Sequence, residues 1–221
     1  MILESEALWV AATNCYVMAS ERGGLAVVVD APPDPSGIAS LLAANDLTPI
    51  ALLVTHGHVD HAGGAGRFVE SSGVSAYVHP DDDFLTLHPE EQIRRLFGPG
   101  FATGETDDYA PPARFEALAD GLSLELGGMT IEVLHTPGHT PGHCCFYVPN
   151  EGLLFSGDQL FAGSIGRTDL PGGDHDELMR SMEQKVLQLD AGTAVFPGHG
   201  PATTLERELL VNPFLQEFGR R

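Results

Sequence analysis

The chain has 221 residues, 43% hydrophobic and 19% charged, which is typical of a globular protein, and we expect one domain over residues 1–221. Its formal net charge of −20 argues against nucleic acids and anionic membranes as partners, because both require a basic surface. The sequence has no run of about 20 apolar residues that could span a membrane. It has three cysteines and no basic leader, so we expect a protein of the reducing cytoplasm.

The first part of the chain alternates predicted strands and helices. The strands are predicted at residues 7–10, 14–19, 25–29, 50–54 and 74–78. Asp34 followed by Pro35 is typical of a helix N-terminus, and the helix should end near Asn45. A second helix is predicted over residues 63–71.

Residues 80–120 are the least regular part of the sequence. Several prolines interrupt them, and residues 90–97 form the clearest helical piece. Long irregular connections in compact domains are often functional. This segment is therefore either a lid or substrate-shaping insertion, or a purely structural excursion, and the residues leave both interpretations open.

A second group of strands follows at residues 122–126, 129–134, 144–148, 153–155 and 194–196. Asp174 with Glu177 forms a capping box that opens a helix. Thr203 with Glu206 opens the last clear helix. Two groups of strands, each with helices, predict an α/β fold in which two sheets pack face to face with helices outside.

Four side chains that can bind a metal directly follow the strand at 50–54: His56, His58, Asp60 and His61. Alternate residues of an extended segment share a face, so His56, His58 and Asp60 should point one way. His61 lies at the turn into the next helix and can be aimed at a second ion. Imidazole and carboxylate groups without a thiolate suit zinc, iron or manganese. A polar loop that only caps a helix is the alternative, but the density of ligand types favours a metal site.

Three later loops repeat this arrangement of a strand followed by a potential ligand. His139 follows the strand that ends at Leu134, Asp158 follows the strand at 153–155, and His199 follows the strand at 194–196. A glycine precedes each of them and permits the sharp turn that exposes the side chain. We therefore add these three side chains to the candidate metal ligands.

Taken in order, these side chains resemble the metal-binding pattern of the metallo-β-lactamase superfamily: His56, His58, Asp60, His61, His139, Asp158 and His199. The pair Asp60-His61 resembles the two-metal hydrolase branch of that superfamily. Residues 160–174 and the ending at 197–201 are similar to the short glyoxalase II-like, or hydroxyacylglutathione hydrolase-like, proteins. The resemblance implies the metallo-β-lactamase fold, an αββα sandwich of two mixed β-sheets flanked by helices.

The same resemblance implies a ligand set for each of two divalent ions. One ion would be bound by His56, His58 and His139. The other would be bound by Asp60, His61 and His199, and Asp158 would bridge the two. Zinc is the first choice of metal, with iron or manganese as alternatives.

The other histidines are given lesser roles. We interpret His135 as structural, and we expect His143 to orient a ligand through its other ring nitrogen. His79, His88 and His175 are interpreted as loop or helix-cap residues.

The implied activity is hydrolysis of a thioester such as S-lactoylglutathione, with a hydroxide that bridges the two ions as the nucleophile. Asp60 would bind a metal and also orient that hydroxide. The C-terminal helical domain of full-length glyoxalase II, with its cationic glutathione contacts, is expected to be missing. The tyrosine expected soon after the last ligand is also missing, because Gly200-Pro201-Ala202 stands there.

Arg167 is the basic residue whose motif position places it near the site, and we predict that it anchors an anionic part of the substrate. The alternative is that Arg167 only ties its loop to Asp169 or Asp174. Arg94 and Arg95 are weaker candidates for the same anchor.

Rival activities remain open. Persulfide dioxygenases resemble the same motif set but use a single iron. A lactonase or a β-lactamase also fits the metal motif, although the segment from Gly163 to Arg167 does not favour either. A nuclease is disfavoured by the charge, and a non-catalytic relative would be expected to have lost ligands.

Overall fold

The structure is a computed structural model that describes residues 1–98, 109–216 and 218. The chain divides into two compact units. The first unit comprises Met1–Leu118 and Leu126–Gly128, and the second unit comprises Ala119–Glu125 and Met129–Arg221. The prediction that residues 1–221 form a single domain stays a prediction.

The first unit is built on a mixed sheet whose strands lie in sequence order. They are β1 (Ile2–Leu8), β2 (Thr13–Ala19), β3 (Leu25–Val29), β4 (Thr48–Leu53), β5 (Ser75–Val78) and β6 (Glu116–Ala117). The strands β1 to β3 pair antiparallel, and β3 to β6 pair parallel. Parallel neighbours need long connections, and helices supply them. These are α1 (Pro35–Ala44), α2 (Val59–Ala62), α3 (Ala65–Ser72), α4 (Asp83–Thr86) and α5 (Pro89–Phe97).

The central parallel strands of this sheet position the candidate site. Both β3 and β4 contain continuous apolar runs, and Val28 and Leu52 are fully buried within them. Val29 pairs with Leu53, so the two strands end side by side at one edge of the sheet. The segments that follow them, which begin at Asp30 and Val54, therefore leave the sheet next to each other.

The second unit is built on another mixed sheet, in the order β14-β13-β10-β9-β8-β7. Its strands are β7 (Ser123–Leu126), β8 (Met129–His135), β9 (Cys144–Val148), β10 (Leu153–Gly157), β13 (Ala194–Pro197) and β14 (Thr203–Thr204). A separate ribbon is formed by β11 (Leu160–Phe161) and β12 (Ser164–Ile165). The helices are α6 (His175–Gln184) and α7 (Leu205–Val211). Strands β10 and β13 are parallel, so the loops that carry Asp158 and His199 start at the same edge.

Most predicted elements are present, with small shifts in their ends. The N-cap predicted for α1 is confirmed, because Asp34 Oδ1 accepts from Gly37 N at 2.9 Å. For α6 the N-cap half of the predicted capping box is confirmed, because Asp174 Oδ1 accepts from Glu177 N at 2.9 Å. The reciprocal half does not form, because the Asp174 N–H donates to the carbonyl oxygen of Gly138 at 2.8 Å. Among the helices of the described residues, none combines the length and apolar character needed to cross a membrane.

Two predicted boundaries are wrong. The strand predicted at 7–10 is in fact β1, which ends at Leu8, because Trp9 and Ala12 take positive φ values of 60° and 53° in the turn to β2. The last helix is capped by Thr204, which accepts from Arg207 N, and Thr203 instead belongs to β14. Of the irregular segment 80–120, residues 99–108 lie outside the described residues.

Candidate metal centre

The first cluster of potential ligands, comprising His56, His58, Asp60 and His61, lies just beyond β4 in the first unit. His58 is still extended, with φ −65° and ψ 144°, and it stands at the N-cap of α2. The three histidines are buried, and Asp60 is half-buried. The expectation that Asp60 shares the extended face of His56 and His58 is wrong, because the chain turns into α2 at Val59. Asp60 instead lies beside His61 in the first turn of that helix.

The donor atoms of the first cluster form two pairs, and within each pair the spacing is that of two ligands of one ion. His56 Nε2 and His58 Nδ1 are 3.1 Å apart, and Asp60 Oδ2 and His61 Nε2 are 3.4 Å apart. Two donors that are each about 2.05 Å from a tetrahedral ion lie roughly 3.3 Å from one another. Imidazole and carboxylate donors are also the types that bind zinc, iron and manganese. The cluster therefore fits divalent ions in both chemistry and spacing.

Asp30 orients two of these histidines from the end of β3. Its Oδ2 atom accepts from His61 Nδ1 at 2.8 Å, and its carboxylate accepts from the Thr55 hydroxyl at 2.9 Å. Because that hydroxyl donates to Asp30, its oxygen accepts from His56 Nδ1, which lies 3.0 Å away. In both rings the proton is thus held on Nδ1, and Nε2 presents its lone pair.

Thr13 orients the carboxylate of the first cluster. Thr13 is the first residue of β2, and its hydroxyl donates to Asp60 Oδ2 at a distance of 3.0 Å. Thr13 is fully buried, so this bond forms away from competing water. A side chain of β2 therefore helps to set the rotation of the Asp60 carboxylate.

The second cluster, comprising His139, Asp158 and His199, lies beyond three strand ends of the second unit. Asp158 Oδ2 is 3.5 Å from His139 Nε2 and 3.7 Å from His199 Nε2. His139 and Asp158 are buried, and His199 is half-buried. One carboxylate oxygen therefore stands at ligand-like distance from two imidazole nitrogens.

Backbone groups orient this second cluster. His139 Nδ1 donates to the carbonyl oxygen of Arg167 at 2.7 Å, so its Nε2 presents the lone pair. The backbone N–H of Asp158 donates to His143 Nε2 at 3.1 Å. A Cβ atom on Gly166 would lie 1.8 Å from the carbonyl oxygen of Asp158, so only glycine fits at this position without a shift of the backbone.

His143 supports the second cluster, as the sequence predicts, although it does so through a backbone group. Its Nε2 lone pair is used by the N–H of Asp158, and its Nδ1 donates to the Thr136 hydroxyl at 2.9 Å. In this state neither ring nitrogen offers a lone pair to an ion. The Nε2 atom of His135 donates to the carbonyl oxygen of Pro141 at 2.9 Å, which fits the structural role that we predict for it.

The histidines interpreted as loop or cap residues occupy such positions. His79 and His88 stand at helix N-caps, and His175 is the first residue of α6. Arg94 and Arg95 are exposed in the last turn of α5.

Arg167 is exposed, and its guanidinium makes a bidentate bond to the exposed carboxylate of Asp169. The Nε–Oδ1 and Nη2–Oδ2 distances are 2.7 and 2.8 Å. This contact is the alternative that the sequence left open for Arg167. Its role as a substrate anchor stays a prediction.

Apart from His143, sequence reasoning missed the residues that orient the ligands. Asp30 and Thr13 act through hydrogen bonds that depend on which strands are neighbours. Asp30 does carry one signal, because it is a charged residue immediately after a buried strand. Asp82 and Gln92 bond the backbone of the first cluster, and no local pattern in the sequence points to them.

Comparison with known proteins identifies the family. The sequence model of the Metallo-beta-lactamase superfamily matches residues 8–199, a range that ends at the last predicted ligand. An uncharacterised protein of Mycobacterium leprae is 42% identical over 207 residues, which cover 92% of this chain and 93% of the relative. The hydroxyacylglutathione hydrolase GloC of Haemophilus influenzae is 37% identical over 207 residues, which cover 91% of this chain and 92% of that protein.

Solved structures agree with this identification. The BLEG-1 B3 metallo-β-lactamase is 36% identical, with a TM-score of 0.86 over 97% of this chain and 99% of that chain. The protein TTHA1623, crystallised in a di-iron-bound form, is also 36% identical, with a TM-score of 0.83 over 97% of this chain and 100% of that chain. The predicted α/β fold with two mixed sheets and flanking helices is confirmed. This chain belongs to the metallo-β-lactamase superfamily.

Proposed function

We propose that this protein is a two-metal hydrolase of thioesters such as S-lactoylglutathione. The observation that carries the two-metal part is the position of Asp158 Oδ2, which lies 3.5 Å from His139 Nε2 and 3.7 Å from His199 Nε2. A carboxylate oxygen between two imidazole nitrogens suits a ligand shared by two ions. The first cluster supports the same number, because its four donors include two close pairs, His56 with His58 and Asp60 with His61.

The ligand sets follow from these pairs and from the family. We propose that the His56–His58 pair and His139 hold one ion, and that the Asp60–His61 pair and His199 hold the other. Asp158 would bridge them. The similarity to a di-iron-bound protein along nearly the whole chain supports the joining of the two clusters. Zinc remains our first choice of metal, with iron or manganese as alternatives, because the donor set accepts all three.

When bound, two divalent ions polarise a carbonyl oxygen and make a water acidic enough to act as a nucleophile near neutral pH. The chain supplies the compensating charge through Asp60, Asp158 and the buried Asp30. We assign Asp60 the catalytic role of orienting the attacking water. The Thr13 hydroxyl supports this role, because its bond to Oδ2 helps to hold the carboxylate in one orientation. A thiolate leaving group needs no general acid, since a free thiol has a pKa of about 8.5.

The substrate class comes from the relative named a hydroxyacylglutathione hydrolase, which is 37% identical over 91% of this chain. Glutathione thioesters are anionic, and we propose Arg167 as the group that binds their anionic part. The guanidinium lies at the surface, 58% exposed, and its backbone carbonyl contacts the candidate ligand His139. Its position beside the second cluster is what supports this role.

We also propose a cytoplasmic location. Cys15, Cys144 and Cys145 are all buried and remain thiols, which suits a reducing compartment. The high negative charge supports a small-molecule substrate rather than a nucleic acid.

The test is metal analysis of the purified protein together with three assays on the same sample. We expect two ions per chain and hydrolysis of S-lactoylglutathione that is lost on chelation and restored by added metal. A single iron with oxygen uptake on glutathione persulfide would instead establish a dioxygenase. Hydrolysis of a β-lactam without thioester hydrolysis would establish the activity named for the BLEG-1 relative.

A further inference from the structure

The connection between β5 and β6 contacts the metal-binding segment of the first unit. After His79 it forms a short 3₁₀ turn (Pro80–Asp82), and then α4 and α5. Two side chains of this connection, Asp82 and Gln92, bond the backbone on both sides of His58. The irregular segment singled out in the sequence is therefore attached to the first cluster.

These bonds satisfy backbone N–H and C=O groups that have no partner in a neighbouring strand. Gly57 N donates to Asp82 Oδ2 at 2.7 Å, and Gly57 O accepts from Gln92 Nε2 at 3.0 Å. Val59 N donates to Gln92 Oε1 at 3.0 Å. These groups lie between the end of β4 and the start of α2, where neither ladder nor helix bonds reach them. Two side chains thus fix the backbone that carries His56 and His58.

The two fixing side chains are themselves held. Asp82 is fully buried, and Gln92 Nε2 also donates to Leu85 O at 2.9 Å. A Cβ atom on Gly57 would lie 2.8 Å from Leu85 Cβ and 3.0 Å from Asp82 Cβ. The connection is therefore in direct contact with the backbone between the two histidines, which explains why the intervening residue is glycine.

We propose that Asp82 and Gln92 are positioning residues that hold His56 and His58 ready to bind one ion. This inference rests on the proposed metal site, and it assigns to the β5–β6 connection a role in metal affinity. Without these bonds the backbone at Gly57 could rotate, and the 3.1 Å spacing of His56 Nε2 and His58 Nδ1 would have to be restored on each binding event. Such a cost appears as weaker metal binding, because the donors are no longer preorganised.

The test compares Gln92→Ala, Gln92→Glu and Asp82→Ala with the unchanged protein, using Co²⁺ as the probe. Dissociation constants are measured by competition with a chelator, and the visible Co²⁺ spectrum reports coordination geometry. We expect Gln92→Ala and Asp82→Ala to raise the dissociation constant of one of the two ions about 10–100-fold and to change the visible spectrum of that ion. Gln92→Glu should recover at most a small part of the loss, because a carboxylate can still accept from Val59 N but cannot donate to the carbonyl oxygens of Gly57 and Leu85.

Gln188→Ala is the matched control, because its amide also donates to a backbone carbonyl, that of Glu183, at 2.8 Å. It should bind both ions like the unchanged protein. Circular dichroism checks folding, and if an alanine variant does not fold, Gln92→Glu carries the comparison. Unchanged affinity for both ions in Gln92→Ala and Asp82→Ala would overturn the positioning role while leaving the two-metal function intact. An unchanged protein that binds no ion would overturn both.

Discussion

The two clusters of potential ligands are built and oriented in different ways. The first cluster lies in one short segment, and side chains orient it: Asp30, Thr55 and Thr13. The second cluster comes from three separate loops, and backbone groups of Arg167 and Asp158 take part in its orientation. Substitution readily removes a side chain, whereas it leaves a backbone carbonyl in place and removes an N–H only when proline is introduced. The first cluster should therefore respond to changes outside its ligands more than the second does.

The largest effect is expected when the Asp158 carboxylate, which lies close to both histidines of the second cluster, is removed. Asp158→Ala should lower kcat/KM roughly 10³-fold or more, because it removes a ligand from both proposed ions. Metal content and thioester hydrolysis are measured together, with His58→Ala as the comparison from the first cluster. His58→Ala should mainly reduce the content of one of the two ions. If both variants retain the same single ion, Asp158 is not a shared ligand.

A smaller effect is expected at Asp30, which touches no proposed ion. Asp30→Asn should weaken metal binding about 10–100-fold, because an amide can turn its NH₂ group towards His61 Nδ1 and disturb the tautomer that presents Nε2. The measurement is chelator competition with Zn²⁺.

Thr55→Val separates the two arms of the Asp30 network. It removes the hydroxyl between Asp30 and His56 but leaves the bond to His61, so only one ion should bind more weakly. Equal weakening of both ions by Thr55→Val would contradict this assignment.

In the second cluster the corresponding change is His143→Leu, which removes the acceptor for the N–H of Asp158 but keeps a side chain in the space. A buried donor without its partner costs about 1–3 kcal/mol in free energy of unfolding. Urea denaturation of the metal-free protein measures this cost, with Thr136→Val as a milder variant. If metal affinity fell as far as in Asp30→Asn, the two clusters would not differ in the way that their hydrogen bonds indicate.

The same contrast explains what the sequence could predict. The first cluster follows an apolar strand within one segment, so residue spacing alone places His56 and His58 side by side. The strands at 25–29 and 144–148 match their predicted bounds, because each is a short apolar run between clear turn signals. The end of β1 was missed because Trp9 and Ala12 hold positive φ values that their residue types do not announce.

Apart from His143, the residues that act through tertiary neighbours could not be predicted. Asp30 reaches His61 only because Val29 pairs with Leu53 in a parallel register, and no local pattern sets that register. Gln92 contacts Gly57 and Val59 only because of the path that the β5–β6 connection takes. The proline-rich sequence of this connection does not determine that path. The ligands were visible as residue types, whereas their supports are visible only as contacts.

The smallest expected effect concerns substrate binding at Arg167. If its guanidinium binds the anionic part of a glutathione thioester, Arg167→Ala should raise KM about 10-fold with little change in kcat, as expected for one exposed charged contact. The Asp169 carboxylate now occupies that guanidinium, so Asp169→Ala should have the opposite effect and lower KM. The bond to Arg167 lowers the pKa of Asp169 to about 2, so Asp169 stays charged and competes with the substrate across pH 4–9. A pair that only ties down its loop predicts instead that both variants shift KM in the same direction, or not at all. Steady-state kinetics on the two variants therefore separates an anchor from a tie, and it tests whether the second cluster has a side chain beside it that faces the substrate.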